Sequence, residues 1–177
     1  MRLLTVLAIS GSLRKASLNT AMLTMAAACA PPGMHVKLFD RLGALPLFNP
    51  DLETNEPAAV ARLRHDIAAA DAVFVASPEY AHGVSGVMKN ALDWMVASGV
   101  FVDKPVVLWN ASPRASHALA ALRETLTVMS AKLIAEAGLE LLIKRTDDGA
   151  PPVNPCPGSM HRSLEHLARV LRAPWAS

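Results

Sequence analysis

The sequence predicts a doubly wound α/β domain, a parallel sheet between two helical layers, and three observations carry that prediction. Five short apolar runs alternate with five longer stretches of helical period. The runs are apolar throughout, without polar alternation, as strands buried on both faces are. The chain has 177 residues, and at roughly 100 to 200 residues per domain this is one domain with one core.

The elements follow in order. Leu3 to Ser10 reads as a strand and Asn19 to Ala30 as a helix, then Met34 to Asp40 as a strand and Glu56 to Ala70 as a helix. Ala72 to Ser77 precedes a helix over Ser85 to Ala97, and Pro105 to Asn110 precedes one over His117 to Lys132. Leu139 to Ile143 is the fifth strand, with a last helix near Ser159 to Arg172. Val60, Leu63, Ile67 and Ala70 form one apolar stripe at spacings of three and four, and Leu119, Leu122, Leu126 and Met129 form another. The helix over Ser85 to Ala97 differs. Val87, Met88, Ala91, Leu92, Trp94, Met95 and Val96 cover more than one face, so it is either buried on two sides or meets another subunit. Two connections are long. Arg41 to Leu52 carries Leu45, Leu47 and Phe48, and the Pro-rich stretch Gly149 to Gly158 reads as a stiff surface strap.

Composition narrows the function classes. Hydrophobic residues make up 52% of the chain and charged residues 18%, the reverse of a disordered composition. The net charge of +2 is not gathered into any basic run, so neither nucleic acid nor an anionic membrane surface is an expected partner. No apolar stretch reaches about 18 residues, so no transmembrane span is expected. The N-terminal run is short and is followed by Arg14 and Lys15, unlike a signal peptide. Cys29 and Cys156 make no disulfide framework. Cys29 reads as a small core residue and Cys156 as exposed with nothing nearby to activate it, and a reducing cytoplasm is the expected compartment. His161 and His166 are five apart, off the spacing that places two ligands on one helix face, so no metal site is expected.

In an open parallel sheet, ligands bind beyond the carboxyl ends of the strands, where the winding direction switches. The loops to read therefore follow Ser10, Ser77 and Asn110. The first, S-G-S-L-R-K-A-S-L-N from Ser10 to Asn19, supplies hydroxyls at Ser10, Ser12 and Ser17, the Asn19 amide, the Arg14 guanidinium and the free N–H groups of a helix start. Convergent donors at the positive end of a helix dipole suit a phosphate. A structural reading stands beside it, in which Ser17 caps the helix while Ser12 and Arg14 are solvated. The turn has neither G-x-G-x-x-G nor G-x-x-x-x-G-K-[ST]. Val87 stands where a G-x-S-x-G elbow needs its second glycine. The first strand does not end in paired carboxylates, which argues against a Mg-dependent receiver-type domain. A single-phosphate site suited to a mononucleotide remains. The second loop and its helix, from Ser77 to Trp94, contain Pro78, Gly83 and Gly86 to shape a turn with free backbone groups, and Tyr80 to offer an aromatic face.

The G-S-L-R-x-x-S-x-N turn, the P-E-Y-x-x-x-x-x-G-x-x-K-N-A-x-D-W stretch and L-P-L-F-N-P-D-L-E from Leu45 to Glu53 resemble the NADPH-dependent FMN reductase family, which includes flavodoxin-like quinone, azo-dye and chromate reductases. The likeness runs from about Leu3 to Leu142. It implies a flavodoxin-like three-layer sandwich with a five-stranded parallel sheet in order 2-1-3-4-5, bound FMN, NADPH or NADH as co-substrate, and a homodimer or homotetramer. Carried onto this chain, it implies that Ser12, Arg14, Ser17 and Asn19 hold the FMN phosphate. Pro78, Glu79, Tyr80, Ala81, His82, Gly83 and Ser112 would border the isoalloxazine, with Pro78, Glu79 and Tyr80 acting largely through backbone. Lys89, Asn90, Asp93 and Trp94 also match, and are expected to fix the loop and helix.

The chain departs from the pattern at Ala81, where many members have Asn, and at Ser85, where many have Pro. In A-S-P-R-A-S-H from Ala111 to His117, Ser116 and His117 replace a common glycine pair. His82 and His117 fall in ring-side loops, and Arg114 is a candidate contact for the extra phosphate of NADPH. The implied activity passes hydride from NAD(P)H to flavin and then reduces a small acceptor such as a quinone, free flavin, azo compound or metal oxyanion, with the cofactor carrying the reaction and no side-chain triad required. A flavodoxin-like electron carrier is the alternative, although such carriers present acidic surfaces and this chain is slightly basic. A flavin-free interaction module on the same fold is a third reading.

Overall fold

The computed structural model describes residues 2–112, 115–143 and 156–173. The core strands are β1 (Leu4–Ser10), β2 (Met34–Phe39), β3 (Ala72–Ala76) and β6 (Pro105–Asn110), and they lie in the parallel order β2-β1-β3-β6. Register is continuous across them: Val6 pairs Val36 on one side and Ala72 on the other, and Val73 pairs Val106. The fifth position differs from the single strand expected over Leu139 to Ile143. Two short strands share it, β7 (Lys132–Leu133) and β8 (Leu139–Glu140), both parallel to β6. A 3-10 turn over Ala135–Ala137 separates them. That turn has its own partners, because Ala137 O accepts from Trp109 Nε1 and from Ser163 Oγ.

Each face of the sheet is covered by helices. α1 (Leu18–Ala28) and α5 (Gly158–Arg172) pack Met22, Leu23, Met160, Leu164 and Leu167 against Val6, Ala8, Phe74 and Trp109. On the other face α2 (Ala58–Ala69), α3 (Gly86–Val96) and α4 (Ser116–Val128) bring Val60, Ile67, Met88, Leu92, Leu122 and Leu126 against Leu7, Ile9, Val75 and Leu108. Alternate residues of each strand thus feed two cores, which is why the strands carry no polar alternation. α4 stops short of the Lys132 end expected from its sequence. Ser130 takes φ +60° and Ala131 N–H reaches back to Leu126 O, a left-handed cap that ends the helix.

The apolar excess of α3 is partly covered from within the chain. Trp94 is buried, and its Nε1 donates to Pro46 O at 2.8 Å while its ring meets Phe48 edge-on at 5.1 Å. Asn90 completes the clamp, accepting from Phe48 N–H at 2.8 Å and donating to Pro46 O at 3.0 Å. The expected structural role of this motif is met, since Asn90 and Trp94 fasten the 41–52 connection and Lys89 pairs with Asp93 one turn on.

Two expectations about the C-terminal third change. Cys29 and Cys156 are joined as a disulfide with Cα atoms 5.9 Å apart, although each was expected as a separate thiol. Cys29 does pack against the core, as does Cys156. Most of the Gly149 to Gly158 strap and the Arg114 expectation fall outside the described residues. On α2, Asp66 sits between Lys37 and Arg62. Burial alone would raise its carboxyl, but the hydrogen bonds from Arg62 and Lys37 outweigh it and hold the group below the usual carboxylate range.

Candidate functional site

The chain leaves β1 for β2 on one side and enters β3 on the other, so a crevice opens above the carboxyl ends of β1 and β3. A cleft of about 290 Å³ lies there, lined among others by Leu18, Asn19, Ser77, Pro78, Asn110 and Ser112. Its floor is tightly built. Ser85 Oγ donates to Gly11 O at 2.6 Å and accepts from Ser77 Oγ at 3.2 Å, and all three residues are buried. A side chain at Gly11 would bring its Cβ to 2.5 Å from Ser77 Oγ and 2.9 Å from Ser85 Oγ, so only glycine lets the first and second loops approach this closely. Ser85 also caps α3 by accepting from Met88 N–H. The residue replacing the family's proline therefore serves both as a cap and as a tie between the two loops.

One end of the cleft is the start of α1. Ser17 is the N-cap, its Oγ accepting from Thr20 N–H at 3.2 Å, and Ser10 Oγ pairs with Thr20 Oγ1 at 2.8 Å. Ser12 Oγ accepts a long bond from Arg14 N–H at 3.4 Å, and Arg14 itself is exposed. Of the four residues expected at the phosphate, Asn19 lines the cleft, while the hydroxyl of Ser17 is engaged as a cap. Asn19 is 8% exposed. Its Oδ1 is, among the described residues, the one buried side-chain oxygen or nitrogen without a hydrogen-bond partner. Turned about its last torsion, that amide presents donor N–H groups in place of the oxygen. A buried amide with one unpartnered atom, beside the free N–H groups of a helix start, fits an anionic ligand group, and so fits the phosphate of FMN.

Two walls rise from the floor. The first, after β3, passes through Pro78 into a hairpin of β4 (Glu79–Tyr80) and β5 (Gly83–Val84). Sequence periodicity could not reveal strands of two residues. The second wall follows β6, where Asn110 accepts from Ser112 N–H and donates to Ala115 O. Glu79 Oε2 crosses from the first wall to accept from Ala118 N–H at 2.9 Å, at the start of α4. Its carboxylate faces the positive end of that helix. The Glu79 side chain thus ties the first wall to α4. Tyr80 is 59% exposed and lies on the outer run of the hairpin.

Ala81 and His82 form the hairpin tip with φ of +49° and +61°. A two-residue turn matching the twist of its strands needs positive φ at both places, which Asn and Gly adopt at least cost. Asn110, Ala111, Ala115 and Leu18 line the cleft without having been singled out. Their only sequence signal is position, at or just after the end of a β-strand or at a helix start.

The sequence profile of the NADPH-dependent FMN reductase family matches residues 4–139. An NAD(P)H-dependent FMN reductase of Pseudomonas aeruginosa is 44% identical over 110 residues, 60% of this chain and 59% of that protein. An NADPH:quinone oxidoreductase of Arabidopsis thaliana is 42% identical over 112 residues, 60% of this chain and 57% of that protein. The chain thus spans less than two thirds of the length of these curated relatives. Among solved structures, the flavoenzyme NAD(P)H:(acceptor) oxidoreductase FerB of Paracoccus denitrificans superposes with a TM-score of 0.73 at 28% identity, covering 94% of this chain and 90% of that one. The matched span takes in β1, both cleft walls, the α3 motif and β7, and ends at the first residue of β8, and the chain belongs to the NADPH-dependent FMN reductase family.

Proposed function

We propose that the protein is an FMN-dependent NAD(P)H oxidoreductase that reduces a small acceptor, with quinones first among the candidates because quinone oxidoreductases stand among its relatives. The observation that carries the reading is Asn19, a buried amide with an unpartnered atom at the start of α1, in a cleft at the winding switch of the sheet. Bound in that cleft, FMN would supply two-electron chemistry between nicotinamide and acceptor. The chain supplies position. Asn19, the N–H groups at the start of α1, Ser12 and Arg14 hold the phosphate, with Ser17 setting the helix start. Pro78, Glu79 and Tyr80 on one wall and Ser112 on the other border the ring, and Ala81, His82 and Gly83 shape the edge of the first wall. The exposed Tyr80 borders the open side, where donor and acceptor would enter by turns.

The assembly belongs to the same proposal. Val96, Val102 and Val128 are 59%, 56% and 75% exposed around a groove of about 450 Å³ that also holds Lys89, Asp93 and Glu124. Apolar residues ringed by charges of both signs suit a second copy of this chain, in a homodimer or homotetramer, and light scattering that finds a monomer at all concentrations contradicts it. No described helix is long and apolar enough to cross a membrane, and the dispersed charge suits no nucleic-acid partner. In the cytoplasmic site of action read from the sequence, the Cys29–Cys156 pair would be held as thiols, and the disulfide would form only on oxidation.

The test is NADPH and NADH oxidation by FMN-loaded protein over a panel of quinones, free flavins, azo dyes and metal oxyanions. Turnover with at least one acceptor is expected. Tight FMN binding without any pyridine-nucleotide oxidation would convert the reading to an electron carrier.

A further inference from the structure

The two walls of the cleft belong to different β-α connections, and side chains must set the gap between them. The hairpin packs against α4, with Val84 in the same apolar cluster as Leu119 and Leu122, and two further side-chain interactions of defined geometry join the walls. One is the Glu79 bond to Ala118 N–H, which uses backbone that any residue at position 118 would offer. The other depends on two particular side chains. The imidazoles of His82 and His117 stack with centroids 4.2 Å apart and planes 11° from parallel.

His82 reaches this stack from the hairpin tip, where Ala81 and His82 both hold positive φ. Neither residue favours that conformation, and such strain persists where the surroundings over-determine it. β4 and β5 contribute only the pairs Glu79 with Val84 and Tyr80 with Gly83, too short a ladder to hold a turn alone. Packing of Val84 in one cluster with Leu119 and Leu122 holds the base of the hairpin, and the stack adds a constraint at its tip. It joins the exposed tip of one wall to the first turn of the helix that closes the other.

We propose that His82 and His117 are a positioning pair for the flavin ring, a clamp that sets the spacing of the two cleft walls without touching the phosphate end. The clamp rests on the flavin reading of the site given above. It makes this chain's departure at His117 from the family's glycine pair a gain of a contact that glycine cannot make.

The test is titration of FMN and of riboflavin, by flavin fluorescence quenching, into the apo forms of wild type, His82→Ala, His117→Ala, the double variant and His117→Phe. Each alanine variant is expected to weaken both ligands alike, by roughly two- to tenfold, the range of one aromatic pair. The double variant should be no weaker than the poorer single one, because removing either ring already removes the stack. His117→Phe keeps a flat ring and should return both affinities close to wild type, an outcome that general damage to the fold would not give. Single variants that bind riboflavin as wild type does, additive losses in the double variant, or failure of the phenylalanine rescue would each overturn the clamp. Wild type binding neither flavin would instead overturn the flavin reading, and the clamp with it.

Discussion

A buried acceptor without a partner costs about 1–3 kcal/mol, and Asn19 carries such an atom. A residue kept for packing alone would be better replaced by an apolar one, so the cost is expected to be returned by an anionic ligand to which the turned amide donates its N–H groups. Asn19→Ala should therefore leave the apo melting temperature unchanged or raised, while weakening FMN by roughly tenfold, the worth of one hydrogen bond to a charged group. Calorimetry on the apo protein and an FMN titration check the two halves, and a variant that melts lower yet binds FMN normally would make Asn19 a packing residue. The sequence could name Asn19 because an amide two residues past a capping serine is placed by helix geometry. It could not rank Asn19 above Ser12, Arg14 and Ser17. Ranking needs directions in space, and here the Ser17 hydroxyl turns to its own helix while Arg14 is exposed. The pairing of His82 with His117 was out of reach for the same reason, since each histidine was legible only singly.

At the scale of the element, α3 shows how a loop is made rigid. Asn90 satisfies one donor and one acceptor of the 41–52 connection, and Trp94 adds a second donor to the same Pro46 carbonyl. Asn90→Ala leaves Phe48 N–H without its partner and is expected to cost about 1–3 kcal/mol. At roughly 2–4 °C per kcal/mol for a chain of this size, that is a drop of several degrees in melting temperature. Lys89→Ala, which breaks only an exposed pair one helical turn apart, is the control and should cost less than about 0.5 kcal/mol. Equal effects from the two substitutions would remove the clamp from the explanation of α3. The apolar excess of α3 was visible in its sequence, but whether loop or subunit covers it is a tertiary fact. β1, β3 and β6 were legible because burial on both faces leaves an unbroken apolar run. β7, β8 and the hairpin strands were not, because two residues carry no period.

The whole molecule is closed by a covalent link that neither the composition nor the spacing of its cysteines suggested. Cys29 at the end of α1 and Cys156 before α5 are 127 positions apart. A cross-link over so long a loop restricts the unfolded chain strongly, by about 4.7 kcal/mol for a loop of roughly 100 residues in the chain-entropy estimate. Reductant should lower the melting temperature by roughly 10–20 °C, by the same conversion from free energy to temperature. Cys156→Ser should melt with the reduced wild type whether or not reductant is present. Two titratable thiols in the untreated native protein, with no response to reductant, would contradict the link. The doubly wound class, by contrast, followed from β-α alternation and the order of the sheet from the family likeness, and it is this order that places a crevice between β1 and β3. The central claim is that this crevice takes a flavin mononucleotide with its phosphate at the start of α1. Calorimetric titration of the apo protein with FMN and with riboflavin, which lacks the phosphate, tests it most directly. One FMN per chain is expected, held roughly ten- to a hundredfold more tightly than riboflavin, the worth of charge-assisted hydrogen bonds to the phosphate. Equal affinity for the two ligands, or no FMN binding at micromolar concentration, would contradict it.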